Sequence, residues 1–412
     1  MSLGYREIEG RSARYYALLA GLVALDALAL VAAYAMEERG HVITGMSNQI
    51  VWGMPHVFAV FLIVAASGAL NVASIASVFG RALYKPLAPL SGLVALALLA
   101  GGLAVLVLDL GRPERLIVAM TRYNFRSIFA WNIFLYTGFA AVIVAYLWTM
   151  LERGTQRYTR PVGTLAFAWR LLLTTGTGSI FGFLVAREPY DSALLAPLFI
   201  ALSLSYGLAA FLLVLLAACR GAERPLGATL LARLARLQAI FIVAGLYFVA
   251  VSHLTNLYFA QRREVERFLL VDGGVYTALF WIGQIGIGSL LPLAIALHPR
   301  LSRSVRWLAT AAMLVVAGGL AQMYVTIIGG QAYPLALFPG MEVASSFRDG
   351  VVHGYTPSLP EIALGVGGVA LAGVIVTLAV KLLRVLPERL DDGLLAALEA
   401  PPAATASKGA SA

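Results

Sequence analysis

Ten apolar runs, each of 20 residues or more, divide the chain and limit what it can fold into. They cover about 15–36, 52–79, 86–109, 127–151, 163–186, 192–219, 233–260, 272–297, 306–330 and 360–384. As helices, all are long enough to cross a hydrocarbon core of roughly 30 Å. The runs are continuous, not ten-residue segments of alternating polarity, so the spans read as helices and not as barrel strands. Only 12% of the residues are charged, against about 25% in soluble domains. A soluble globular enzyme is therefore excluded. The 40 glycines suit helices that pack closely inside a bilayer. The expected fold class is an all-α integral membrane protein of about ten transmembrane helices.

The connections set the organisation. Residues 1–14 form a short N-terminal segment, 15–386 the membrane domain, and 387–412 a tail. That tail holds a short amphipathic stretch followed by Ala/Ser/Pro-rich sequence, and disorder is expected there. Most loops are short, but 331–359 is long and carries Pro334, Pro339 and Pro357, which marks it as a working or docking segment. The first apolar run lacks a small-residue cleavage site and reads as a retained span. The net charge of +9 reads as membrane topology and not as nucleic-acid binding, because the arginines sit in loops between apolar runs. Lysine and arginine number 19 on the side of the termini and 10 on the other, with Arg170 inside a span. The bias puts both termini in the cytoplasm of a bacterial inner membrane. The opposite loops mix Tyr, Asn, Asp, Glu and Arg, so the working face is expected to be the outer one. A single cysteine, Cys219, leaves no cysteine-based cluster or zinc site.

The most distinctive stretch is Leu108-Asp109-Leu110-Gly111-Arg112-Pro113-Glu114-Arg115, followed by Tyr123-Asn124-Phe125-Arg126-Ser127 and Trp131-Asn132. Gly111 with Pro113 behind it is a helix stop. Asp109 and Arg112 lie together at the membrane boundary, where they either pair and fix the loop or serve a site. Leu110-Gly111-Arg112-Pro113, Arg115, Ser127 and Trp131 resemble the signature of the NrfD/PsrC family of membrane subunits. A second segment runs from Leu337-Phe338-Pro339-Gly340 through Ser345-Ser346-Phe347-Arg348-Asp349-Gly350 to Tyr355-Thr356-Pro357-Ser358-Leu359-Pro360-Glu361. It is similar to the ten-span branch that includes DsrP and the HybB-type hydrogenase subunits. The stretch from Phe58 to Tyr146, with Ala65-Ala66-Ser67-Gly68-Ala69-Leu70-Asn71, looks most like DsrP.

The resemblance implies two four-helix bundles with flanking helices. It implies a subunit that exchanges electrons between a membrane quinone pool and an iron–sulfur protein on the outer face, without haem in the best-understood members. For the DsrP-like branch it implies a complex of dissimilatory sulfur metabolism, DsrMKJOP-like. The partners would be a periplasmic ferredoxin-like iron–sulfur subunit, a multihaem cytochrome c and a cytochrome b/iron–sulfur pair.

Quinone chemistry needs a proton donor or acceptor near each carbonyl and an apolar slot for the ring. His56 lies one turn inside the second span, Asp109 ends the third, Tyr123 and Asn124 follow in the loop, and Trp131 opens the fourth. With Arg112 these are the candidate quinone-binding residues, and His56 and Asp109 the candidate catalytic pair, since an ionisable group at that depth is costly unless it is used. Each has a plainer alternative as a helix-packing or interface residue. Asp26, Arg170, His253 and Tyr324 form a second candidate set for proton movement, or else buried pairs that hold helices together. Haem b would have to rest on His56 and His253, the two intramembrane histidines, where dihaem cytochromes b offer more. Two other readings remain: a secondary transporter, though no repeat or paired broken helices are visible, and a structural anchor for the outer subunit.

Overall fold

The computed structural model describes residues 4–334 and 350–399. Ten helices of spanning length run through them. They are α1 (Ala13–Arg39), α2 (Met54–Ser77, broken at Leu70), α3 (Ala82–Leu108), α4 (Ile128–Leu151), α5 (Thr159–Gly182), α6 (Leu195–Gly221), α7 (Ala228–Tyr258), α8 (Val275–Leu297), α9 (Val305–Ala332) and α10 (Leu359–Leu382). Nine are long and apolar enough to cross a membrane. The other, α5, is diluted by Arg160, Arg170 and a run of threonines and glycines. No strand occurs among the described residues. The chain is an all-α, multi-pass integral membrane protein.

Two four-helix bundles lie side by side. The first consists of α2, α3, α4 and α5, and the second of α6, α7, α8 and α9, each packed in ring order. They join along α2 and α6, where Gly68 and Gly207 let the backbones touch: a Cβ on Gly68 would fall on the Ser203 carbonyl. Helix α10 covers α3 and α2, and α1 lies outermost against α10. Helix α2 is buried on nearly all sides, which explains its largely apolar sequence. In the second bundle, α8 widens into π-helical turns over Leu279–Leu290 and α9 over Val325–Gly329. Such turns are wide and recur at working positions of helices.

The two termini meet at one end of the molecule. Tyr5 bridges Pro387, and Arg224 donates to the carbonyls of Arg6, Glu7, Leu386 and Pro387 at 2.9–3.1 Å. The start of the tail is therefore held against the bundles. A short helix, α11 (Asp392–Glu399), follows, with Leu390 and Leu395 buried and Asp392 accepting from Thr229 N. Its apolar residues find cover under the bundles, which composition alone does not reveal. Residues 400–412 lie outside the described residues, as do the Leu337–Gly340 and Ser345–Asp349 segments of the long loop.

Candidate functional site

At the end opposite the termini, α3 stops at Asp109, whose backbone caps the helix. Asp109 is only 6% exposed, although it carries a charge. Two imidazoles face it. His56 Nδ1, on the first turn of α2, stands 2.8 Å from Asp109 Oδ2. The contact is close but off the line of a hydrogen bond, and both His56 Nδ1 and Asp109 Oδ1 lack an aligned partner among the described residues. His41, in the turn after α1, approaches from the other side: its Nε2 lies 3.8 Å from Asp109 Oδ1 and 3.1 Å from the Asp109 carbonyl oxygen. The Asp109 side chain raises the His41 pKa above the ordinary histidine range, against the opposing effect of partial burial. A buried carboxylate between two histidines can orient one ring and stabilise its protonated form. Arg112, expected to share this site or pair with Asp109, is exposed and makes no ion pair among the described residues.

An aromatic wall adjoins the pair. Trp52 stacks on His56 with ring centroids 5.9 Å apart, and Phe129, Phe181 and Tyr190 surround the indole within 6.5 Å. The backbone carrying Trp52 is fastened to the second bundle. Gln331, fully buried on the last turn of α9, accepts from Val51 N and Trp52 N at 3.0 Å and donates to the Trp52 carbonyl at 2.9 Å. Arg187 donates to the carbonyls of Gln331 and Gln49 at 2.8 and 2.7 Å. A second fastener is Glu361 on α10, wholly buried, which accepts from Gly45 N, Ser358 N and the Tyr355 hydroxyl at 2.6–2.8 Å. Tyr355 in turn accepts from Met54 N, the first residue of α2. Gly53 must be glycine here, because a Cβ would fall on Glu361 Oε1.

The other three expected ring contacts form a group of their own. Tyr123 stacks on Phe134 at 4.1 Å, Trp131 donates from its indole to the Phe125 carbonyl, and Asn124 accepts from Arg126 N. The structure does not bring them against His56 or Asp109. Phe129, two residues before Trp131 on α4, is what meets Trp52.

A family description, "Polysulphide reductase, NrfD", matches residues 42–335. The chain belongs to that family. The match spans α2 to α9, so both bundles are the NrfD-family core and α1 and α10 lie outside it. Among relatives, an integral membrane subunit of an Hdr-like menaquinol oxidoreductase from Archaeoglobus fulgidus is 32% identical over 94% of this chain and 98% of its own length. A selenate reductase subunit from Mesobacillus selenatarsenatis is 26% identical over 90% of this chain and 94% of its own. A polysulfide reductase chain from Wolinella succinogenes is 25% identical over 69% of this chain and 96% of its own.

The second bundle of the NrfD-family core carries its own histidine–carboxylate pair. His253 Nδ1 lies 2.6 Å from Glu266 Oε2, and Asn256 donates to Glu266 Oε1 at 2.7 Å. Glu266 is 1% exposed. One turn below His253, Val249 lines a cavity shared with Ser205, Tyr206, Gln284 and Gln322. The space open to water centres is about 20 Å³, enough for one water. Among the described residues, the buried side-chain carbonyl oxygens of Gln284 and Gln322 have no partner, the setting that calls for water. Tyr324 stands apart from this cavity in the aromatic contacts it makes, stacking on Tyr276 and meeting Tyr355. Arg170 is buried against α2, donating to the Ser67 carbonyl at 3.4 Å and lying over Phe167. Asp26 is on α1. The four expected relay residues thus sit on four helices, and no hydrogen bond or ion pair joins any two among the described residues. His56 and His253, the pair on which haem would rest, stand in different bundles.

Sequence reasoning singled out His56, Asp109 and His253 and missed His41 and Trp52 beside the first two, Glu266 as the partner of His253, and Glu361 as the fastener of the loop before α2. The signal for Glu361 was present as Ser358-x-x-Glu361, which forms a full capping box.

Proposed function

We propose that the chain is the quinone-interacting, electron-transferring membrane subunit of a multisubunit redox complex. The observation that carries this reading is the buried Asp109 held between His56 and His41 beside the Trp52 wall. The named relatives, a menaquinol oxidoreductase subunit and reductase subunits, favour the same role. The residues fit a quinone head: aromatic faces for the ring, a histidine at their edge for a ring oxygen, and unaligned polar atoms beneath. A bound quinol would supply two electrons and two protons. His56 would accept the two protons one after the other at Nε2, the nitrogen turned away from Asp109, releasing each before the next. Asp109 would hold the ring in place and stabilise its charge. His41, 30% exposed at its side chain, would pass the proton on towards solvent. Trp52 and Phe129 would bound the ring and exclude water. Arg112, Tyr123, Asn124 and Trp131 would shape the approach from the membrane interface rather than touch the ring.

Electrons would pass to an iron–sulfur subunit docked on this face, with the 331–359 loop as the docking segment. We read the complex as DsrMKJOP-like, with a ferredoxin-like iron–sulfur subunit, a multihaem cytochrome c and a cytochrome b/iron–sulfur pair. This rests on the likeness of the Phe58–Tyr146 stretch. A HybB-type hydrogenase complex shares the loop motif, and the neighbouring genes separate the two. Of the expected proton set, His253 stands against the buried carboxylate of Glu266 above the glutamine-lined cavity, and we assign proton movement in the second bundle to this pair.

The test is Asp109→Asn in the assembled complex. Quinone-linked turnover falls by a factor of ten or more while the complex stays intact. Turnover at the wild-type level makes Asp109 structural and removes the observation on which the reading stands.

A further inference from the structure

Asp26 is the midpoint of α1, thirteen residues from Ala13 and thirteen from Arg39. At 1.5 Å per residue it lies about 20 Å from either end of the helix. Between Arg14 and Glu37 it is the only charged residue. It is half-buried at the edge of the crossing with α10. One turn on either side, Leu22 packs on Gly373 and Ala29 on Gly367. The part of α10 that faces it, Gly365 to Gly373, has no polar side chain. No hydrogen bond or ion pair reaches Asp26 among the described residues. The rest of the helix surface around it is apolar and open, with Val23 49%, Leu25 41% and Leu30 59% exposed.

A carboxylate at the centre of a bilayer is costly and is normally turned to a partner. This one meets only apolar residues of α10 and stays partly open at the edge of the α1–α10 crossing. We propose that α1 docks a transmembrane helix of another subunit, and that a basic side chain near the middle of that helix pairs with Asp26. A lipid headgroup cannot reach this depth. A second copy of this chain fits poorly, because Arg170, its one basic side chain near mid-span in the described helices, is buried in the first bundle. Two α1 helices placed together would bring carboxylate to carboxylate. The position of α1 agrees: it lies outside the family match at residues 42–335 and packs on α10 at the edge of the molecule. The proposal does not depend on the quinone reading.

Dicyclohexylcarbodiimide, an apolar reagent for carboxyl groups within membranes, tests the pairing. The chain alone and the intact complex are treated in nanodiscs, with Asp26→Asn as the blank, and the Asp26 adduct is measured by peptide mass spectrometry. Asp26 reacts in the chain alone and is protected at least tenfold in the complex. Equal reaction in both overturns the proposal. No reaction in either contradicts the partly open, unpaired carboxylate on which it stands. A photoreactive residue at Val23 or Leu30 of the complex then identifies the occupant. The expected product joins α1 to a helix of another subunit with Lys, Arg or His within one turn of the cross-link. A product with lipid only, with a second copy of the chain, or with a helix lacking such a residue overturns it.

Discussion

Asp109 gathers three segments that are distant in sequence. His41 follows α1, His56 opens α2 and Asp109 ends α3, so the carboxylate also fixes the relative positions of their ends. The charge state of His41 reports this directly. Its pKa is raised in the folded protein, chiefly by the Asp109 side chain. A raised folded value means that the contribution to stability is complete below the unfolded value of about 6.5 and is lost as pH rises through the folded one. His41→Gln should therefore lower the thermal midpoint relative to wild type most at acid pH, with the gap closing as pH rises. A gap that is constant with pH, followed by differential scanning fluorimetry in detergent, would show that His41 does not bind its proton against Asp109. His56 and Asp109 were legible because polar residues inside apolar runs stand out. His41 and Glu266 were not, since each lies in a connection where charged residues are ordinary. Only folding shows that Glu266 is buried against His253.

Spans were the most legible elements, since a bilayer demands long apolar runs. Their ends shifted by several residues, most where Thr, Arg and Gly dilute the pattern: α5 begins at Thr159 rather than 163 and ends at Gly182 rather than 186. Which helices pair was not legible, because that depends on where small residues meet. Gly68 is the sharpest case. Gly68→Ala would push a Cβ into the Ser203 backbone and wedge α2 from α6, at a cost of about 1–3 kcal/mol. Gly21→Ala on α1 meets nothing within 4 Å and should be tolerated. Thermal unfolding of the two variants compares them, and equal midpoints would mean that the bundle seam is not close-packed. Gln331 joins elements by hydrogen bonds instead. Gln331→Ala removes the acceptor of the part-buried amides of Val51 and Trp52, costing about 1 kcal/mol. Trp52 fluorescence should shift towards that of a mobile indole, and an unchanged spectrum would show that the loop is held by other contacts.

At the scale of the molecule, the termini lie at one end and the His41–His56–Asp109 cluster at the other, and from the positive-charge bias we propose that the cluster faces the periplasm. Cys219 is buried, so single cysteines can be read against a Cys219→Ala background. Val42→Cys should label with an impermeant maleimide from the periplasmic side and Arg81→Cys only from the cytoplasmic side. The reverse pattern would invert the protein and move the site to the cytoplasm. The paired bundles were expected from the family resemblance and not from composition, and the outermost place of α1 emerged only from packing. Deleting 340–358 should release the outer iron–sulfur subunit on purification, and a complex that stays whole would refute docking through that loop.

The most direct measurement is a tryptophan-fluorescence titration of the purified protein with a quinol-site inhibitor. Wild type should show saturable quenching through Trp52, and His56→Ala and Asp109→Asn should each weaken it by at least tenfold. Saturation with unchanged affinity in both variants would place the quinone elsewhere, and no saturable binding in wild type would contradict the site altogether.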